Sequence, residues 1–78
     1  MPVLRLFASA REAAGTGSET IDGATVGEVL DRAIGRYGAA FAHVLPTCRI
    51  WVNGEAADRV AVLQPSDEVA VLPPVSGG

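Results

Sequence analysis

TVGEVLDRAIGRY, residues 25–37, is the stretch of sequence that decides how this chain folds. Thr25 opens it and Glu28 follows three residues later, which is the spacing of a capping box at a helix N-terminus. Gly38 comes next as a C-terminal stop. Between these signals, apolar residues recur at helical spacing along one side: Val26, Val29, Leu30, Ala33, Ile34 and Tyr37. The stretch therefore predicts an amphipathic helix from Thr25 to Tyr37 that packs across a sheet.

Two glycines lie inside this predicted helix. Gly27 and Gly35 each weaken it by roughly 1 kcal/mol relative to Ala. A small residue lets a helix lie close to the element that it packs on. We therefore expect these glycines to bring the helix close to the sheet.

Short apolar runs bounded by turn residues predict five strands around the helix. These are Val3 to Phe7, Ser18 to Ile21, Arg49 to Val52, a short return strand around Ala56, and Glu68 to Leu72. Asn53-Gly54, between the third and fourth strands, is a strong two-residue hairpin signal. Arg5 marks an outward position on the first strand. The last strand is almost wholly apolar, which is typical of a buried strand.

Two shorter helical segments are also predicted. Ser9 to Ala14 has Glu12 three residues after Ser9, which predicts a second capping box. Ala39 to Leu45 continues as a further helical turn that Pro46 ends.

The order of these elements predicts the fold class. One principal helix that crosses a mixed sheet is typical of the ubiquitin-like β-grasp, an α+β architecture. We expect one β-grasp domain over residues 1–72 and a flexible C-terminal tail over residues 73–78.

Composition narrows the classes of function. The 78 residues are 49% hydrophobic, which allows one small core. The net charge is −3 and the basic residues are scattered singly, so the basic patch of nucleic-acid-binding proteins is missing. The apolar run at the N-terminus contains Arg5 and is too short for a signal peptide or a membrane span. We expect a cytoplasmic protein whose partners are neither nucleic acids nor membranes.

Few side chains in the sequence are candidates for nucleophilic catalysis or metal binding. All six basic residues are arginines, so the sequence has no lysine to act as a nucleophile or to accept an isopeptide bond. Cys48 is the single cysteine, which excludes an internal disulfide and a zinc site built on paired cysteines, and we expect it to be a core residue. His43 has no visible acid or ligand partner. No metal site is predicted.

The end of the sequence carries a resemblance to a known family. The last strand runs into Pro73-Pro74-Val75-Ser76-Gly77-Gly78, with nothing after the second glycine. This ending resembles the small subunit of molybdopterin synthase, the MoaD-type ubiquitin-like sulfur carrier. The resemblance extends over the whole length through Phe7 to Glu12, Val52-Asn53-Gly54 and Asp67-Glu68-Val69. Typical members have aromatic residues before the two prolines and a glycine before the aspartate, where this chain has Val71-Leu72 and Ser66.

The resemblance implies a sulfur relay that operates at Gly78. A C-terminal carboxylate is ionised at neutral pH and is a poor electrophile, so it needs activation. In the family, an adenylyltransferase and sulfurtransferase resembling ubiquitin activators uses ATP to form an acyl-adenylate on the last glycine. Sulfide equivalents displace AMP, and the thiocarboxylate delivers sulfur to precursor Z, a cyclic pyranopterin monophosphate, in the large subunit. The carrier is expected to bind no cofactor and to supply no catalytic side chain.

The tail and its surroundings supply the other candidate site residues. Glycine has the smallest cross-section for a narrow channel, and consecutive prolines favour an extended polyproline II conformation. The expected threading residues are Pro73, Pro74, Val75, Ser76 and Gly77. The candidate docking residues are Phe7, Arg11, Asp67, Glu68 and Leu72. For the charged members of this set, solvation and turn formation are equally good explanations.

Two other functions remain open at this point. A thiocarboxylate carrier for thiazole (thiamine) or cysteine biosynthesis would share the fold and the Gly-Gly end but would deliver sulfur to a different enzyme. A non-catalytic β-grasp interaction module would use its sheet face and would not need a free C-terminus.

Overall fold

The computed structural model describes residues 1–74. Its strands are β1 (Val3–Leu6), β2 (Ser18–Thr20), β3 (Arg49–Val52), β4 (Glu55–Ala56) and β5 (Glu68–Leu72). Its helices are α1 (Ala8–Ala14), α2 (Val26–Tyr37), α3 (Ala39–Val44) and a 3₁₀ turn (Leu45–Thr47). The predicted flexible tail lies outside the described residues from position 75 onward.

The five strands form one mixed sheet in the order β2-β1-β5-β3-β4. Strand β5 lies in the middle, parallel to β1 and antiparallel to β3. The other two pairs are antiparallel. With α2 packed across this sheet, the predicted ubiquitin-like β-grasp, an α+β fold, is confirmed.

The alternation of side chains gives the sheet one buried face and one outer face. Leu4, Leu6, Val69 and Val71 point to the buried face and are at most 2% exposed. They pack with the apolar stripe of α2, of which Val26, Val29, Leu30 and Ala33 are buried and Ile34 and Tyr37 half-buried. Full burial of one such side chain contributes roughly 1.5–3 kcal/mol, so this layer is the main source of stability.

The ends of α2 lie where the sequence predicts them. The backbone N–H of Glu28 donates to Oγ1 of Thr25 at 3.2 Å, and the Thr25 hydroxyl donates to the Glu28 carboxylate at 3.5 Å. Gly38 has φ +94° and its N–H donates to the Ile34 carbonyl at 2.8 Å, which ends the helix. The hairpin signal is also confirmed, because Asn53 and Gly54 both have positive φ between β3 and β4.

The predicted start of α1 is wrong. Strand β1 ends at Leu6, and Phe7 takes the N-cap position without a side-chain hydrogen bond. The Phe7 carbonyl accepts hydrogen bonds from the N–H groups of Ala10 and Arg11. Ser9 therefore lies inside the helix and cannot cap it. Residue 7 leaves the strand because the chain must turn away from the sheet to begin α1.

The expected role of the two glycines is corrected by their surroundings. A Cβ on Gly27 would lie 3.1 Å from the carbonyl oxygen of Arg59, in the loop that leads to β5. A Cβ on Gly35 would meet nothing within 4 Å. Of these two glycines, only Gly27 therefore allows α2 to lie close to another element, and that element is a loop instead of the sheet.

This difference gives a matched pair of stability predictions. Gly35→Ala should stabilise the protein by about 0.5–1 kcal/mol, because Ala has the better helix propensity and the site is open. Gly27→Ala should gain less or destabilise, because the Arg59 carbonyl must move. Chemical denaturation of both variants measures the two changes. Equal stabilisation by both would contradict the close contact at Gly27.

Candidate functional site

The predicted tail leaves the sheet beside an apolar corner of its outer face. Leu72 ends β5 opposite Arg49 of β3, and Pro73 follows it. The N–H of Phe7 donates to the Val71 carbonyl at 3.3 Å, which places Phe7 next to Leu72. Phe7 is 40% exposed and Leu72 half-buried. Two of the predicted docking residues are therefore neighbours at the base of the tail.

Trp51 is the residue of this face that sequence reasoning missed. It pairs in register with Ala70 on one side and Ala56 on the other, so its indole lies between two small side chains. Ala70 lies between the buried residues Val69 and Val71 and therefore faces outward, and Trp51 shares that face. The alternation of side chains along β3 could have predicted that Trp51 faces outward. A tryptophan on the solvated face of a sheet is typical of an interface. We predict that a partner docks on this side of the sheet, and we call Arg5, Phe7, Arg49, Trp51, Ala70 and Leu72 the docking face.

The departures from the family pattern fall on different sides of the sheet. Val71 points into the core, where it is fully buried, whereas Leu72 belongs to the docking face. Ser66 does not adopt a positive φ, so the turn before β5 does not need glycine there. Of these three departures, Leu72 is the one that lies on the outer face of the sheet.

The arginines separate into two groups. Arg32, Arg36 and Arg59, on α2 and the loop after β4, form ion pairs with Asp22, Glu19 and Asp31 respectively. Arg5 of the docking face lies 3.4 Å from the Glu68 carboxylate, with both side chains about half exposed. Arg11 and Arg49 have no ion pair within the described part of the chain. The Arg5 guanidinium thus reaches the end of β5 opposite Leu72, and the Arg11 guanidinium lies against Gly17. At the end of the sheet from which the tail leaves, Arg49 lies beside apolar side chains.

Asp67 lies away from this corner. It directly precedes β5, at the opposite end of that strand from Leu72. Its carboxylate accepts hydrogen bonds from the Gln64 N–H and the Asn53 side-chain amide, both at 2.8 Å. These two bonds hold the pKa of Asp67 below its ordinary value, the Gln64 N–H being the larger cause. The turn accounts for Asp67, and docking by Asp67 or Glu68 stays a prediction.

The shifted pKa of Asp67 predicts a loss of stability in acid. A depressed folded-state pKa means that the stabilisation is complete above the ordinary value of about 3.9 and is lost as pH falls through the folded-state value. Melting temperatures of the parent and of Asp67→Asn, measured from about pH 6 to about pH 2, test this. We expect a smaller acid-side decrease in the variant. The same decrease in both proteins would assign the acid sensitivity to other groups.

Cys48 packs against the core, as predicted, although it is only half-buried. Its Sγ donates to the Val44 carbonyl at 3.4 Å, and burial raises the pKa of the thiol. A thiol with a raised pKa is a poor nucleophile at neutral pH. His43, the other isolated candidate, is an exposed residue of α3.

Replacing Cys48 should therefore separate stability from function. Cys48→Ala should lower stability by about 1 kcal/mol, because it removes a half-buried sulfur. Sulfur transfer should continue at the parental rate at a temperature where the variant is fully folded. Loss of transfer under those conditions would show that the sulfur passes through Cys48.

The described residues add two observations about other kinds of site. Within positions 1–74, no group of three or more His, Cys, Asp or Glu side chains is arranged to hold a metal ion. No helix in that part of the chain has both the length and the apolar character needed to cross a membrane. Val75, Ser76, Gly77 and Gly78 lie outside the described residues, so their site roles stay predictions.

Known proteins resemble this chain over nearly its full length. Small archaeal modifier protein 1 of Haloferax volcanii is 36% identical over 95% of this chain and 97% of its own. Its crystal structure has a TM-score of 0.87 and covers 99% of this chain and 98% of that one. The molybdopterin synthase sulfur carrier subunit of Chlamydomonas reinhardtii is 38% identical over 92% of each chain.

A second solved structure contains two different subunits. It is the protein-protein complex of subunits 1 and 2 of the molybdopterin-converting factor from Helicobacter pylori, and a chain in it is 26% identical to this one, with a TM-score of 0.71. The match covers 99% of this chain and 97% of that chain. The ThiS family matches residues 4–78. Together with the resemblance to molybdopterin synthase small subunits, these matches show that the chain is a ubiquitin-like sulfur carrier of the ThiS family.

Proposed function

We propose that this chain is the sulfur carrier subunit of a molybdopterin synthase, and that its reactive group is the carboxylate of Gly78. The observation that carries the proposal is the position of β5. This central strand ends at Leu72 and directs Pro73 away from a corner of the sheet formed by Phe7, Leu72 and Arg49. A partner bound at that corner would receive the tail.

The length of the tail is sufficient for a buried site. Six residues from Pro73 to Gly78 span at most about 20 Å when extended. Pro74 is exposed, so the described part of the tail already points away from the core. Two prolines lower the entropy lost on threading, because fewer unbound conformations are available to them.

The proposed chemistry needs two partners. An activating enzyme transfers AMP from ATP to the Gly78 carboxylate with release of pyrophosphate, and a sulfide equivalent then displaces AMP to give the thiocarboxylate. A large subunit receives the tail and the sulfur passes to precursor Z. The carrier contributes the reactive terminus and the docking face, in the cytoplasm, where these enzymes are expected. The two-subunit complex from Helicobacter pylori supports the large-subunit partner.

Intact-mass spectrometry tests the proposal. The protein is incubated with an activating enzyme, ATP and a sulfur donor, and a thiocarboxylate appears as replacement of one oxygen by sulfur at Gly78. Addition of the large subunit and precursor Z should return the mass to that of the carboxylate as product forms. Absence of the sulfur adduct with every activating enzyme from the source genome would reject the carrier mechanism.

A second candidate is supported by the similarity to small archaeal modifier protein 1. In that function Gly78 would be joined to an amine of another protein. The same incubation, with cell protein in place of precursor Z, separates the two functions, since a modifier yields amide-linked conjugates. A carrier for thiazole or cysteine biosynthesis would give the thiocarboxylate but would not support molybdopterin formation.

A further inference from the structure

The helix side of the sheet contains a groove that the fold does not fill. The side chains of β1 and β5 on this side are fully buried beneath α2, whereas Ile50 of β3 is only half-buried. A cavity of about 340 Å³ lies between α2 and the chain that leads from α3 into β3. We call it the helix-side groove, and its apolar lining residues are Leu30, Ile34, Ala42, Leu45, Pro46 and Ile50.

A guanidinium group lies at one end of this groove. Arg59 is the charged residue of its lining within positions 1–74. Nη2 of Arg59 donates to the Asp31 carboxylate at 2.7 Å and to the Gly27 carbonyl at 3.4 Å, which places the guanidinium beside the first turns of α2. Nε and Nη1 have no hydrogen-bond partner in the described part of the chain. Arg59 can therefore donate to a further acceptor without losing Asp31.

The backbone that lines the groove leaves no place for an added strand. Ile50 pairs with Val71 of β5 on one side, and its carbonyl accepts the N–H of Ala57 on the other. The remaining apolar lining residues belong to α2, α3 and the 3₁₀ turn, where main-chain groups bond along the helix. A ligand in this groove therefore meets side chains, which favours recognition of a helix over recognition of an extended peptide.

We propose that the helix-side groove binds an amphipathic helix of a partner protein, which places two aliphatic side chains in the groove and an acidic side chain against Arg59. Leu30 and Ile34 lie one turn apart on α2, a rise of about 6 Å, which matches the spacing of i and i+4 side chains on the partner helix. A carboxylate one turn further along would accept charge-assisted hydrogen bonds from the free guanidinium donors.

This site is separate from the docking face. Ile50 and Trp51 are consecutive residues of β3, so their side chains point to opposite sides of the sheet. Ile50 lines the groove and Trp51 belongs to the docking face. A helix in the groove would leave the docking face open, and both surfaces can be occupied at once. The inference therefore does not depend on the chemistry proposed for Gly78.

The test uses a synthetic peptide and the full chain. The probe is an alanine-rich helical peptide of about 18 residues with Leu at i and i+4 and Glu at i+8. Titration into isotopically labelled protein should shift the methyl signals of Ile34 and Ile50 and leave the indole signal of Trp51 in place, with a Kd below about 1 mM. The same peptide with proline between the leucines should bind at least about tenfold more weakly, because proline breaks the helix.

Two matched pairs of protein variants locate the contacts. Ala42→Leu should weaken binding at least about tenfold, because its side chain occupies the space that a peptide leucine needs. Ala40→Leu, at an exposed position of α3 outside the lining, should bind as the parent does. Replacing the peptide Glu by Gln should weaken binding to the parent and to Arg32→Gln about threefold, but should not change binding to Arg59→Gln.

Several results would overturn the inference. Absence of saturable binding, parental affinity in Ala42→Leu, or equal binding of the proline peptide would each exclude a helix in this groove. Shifts centred on Trp51 would assign the peptide to the docking face. The comparison of the Glu and Gln peptides on the parent needs no protein variant, so equal affinities there would reject the role of Arg59 whether or not Arg59→Gln folds.

Discussion

Deleting Gly78 should abolish product formation while leaving the fold intact. The deletion shortens the tail by about 3.5 Å, and a misplacement of only about 1 Å at a reacting centre can cost on the order of a hundredfold in rate. The buried hydrophobic residues of the described part of the chain lie between Leu4 and Val71. We therefore expect the stability of the deletion variant to stay within about 0.5 kcal/mol of the parent. The loss of activity should therefore occur in a protein that melts at the parental temperature.

The assay separates the steps of the relay. Adenylation, thiocarboxylation and product formation are measured for the deletion and for Gly77→Ala, which keeps the length but adds a Cβ and narrows the backbone conformations available. Large-subunit binding is measured in parallel, because docking at the sheet face should persist without Gly78. Product formation at the parental rate by the truncated protein would favour the interaction-module function.

The elements of this fold were largely predictable because their signals are local. Thr25 and Glu28 fix the start of α2, Gly38 its end, and Asn53-Gly54 the β3–β4 hairpin, each within a few residues. The start of α1 was predicted incorrectly. Ser9 and Glu12 have the spacing of a capping box, yet the sheet forces the turn to begin at Phe7. Tertiary geometry overrode a local signal there.

The site role of the tail stays a prediction from its sequence, whereas the arrangement of the face comes from the structure. Proline and glycine at positions 73–78 indicate a threaded segment by their chemistry alone. The face depends on the pairing of β5 with β1 and β3, strands distant in sequence. Parallel pairing with β1 brings Phe7 to Leu72 and leaves Asp67 at the other end. Pairing with β3 places Trp51 over Ala70, which no short stretch of sequence could show.

The exposure of Trp51 beside Ala70 predicts the second large effect, a loss of affinity for the large subunit when Trp51 is truncated. Trp51→Ala should weaken binding by about 30-fold or more, since a central aromatic anchor of an interface typically contributes at least about 2 kcal/mol. The indole lies between Ala56 and Ala70, two small side chains that cannot replace it. Truncation would therefore leave the partner's pocket for the indole unfilled. Thiocarboxylation should fall as well if the activating enzyme docks at the same face.

The control for Trp51→Ala is Val60→Ala. Val60 is 78% exposed in the loop after β4, outside the docking face, so its truncation removes exposed apolar surface without changing the corner from which the tail leaves. Isothermal titration with the large subunit gives both affinities, and melting curves should place both variants within about 1 kcal/mol of the parent. Equal affinity of Trp51→Ala and the parent would move the docking surface elsewhere. A comparable loss of affinity in Val60→Ala would show that exposed apolar area in general drives binding. Only a loss of affinity confined to Trp51→Ala supports an anchor beside the tail.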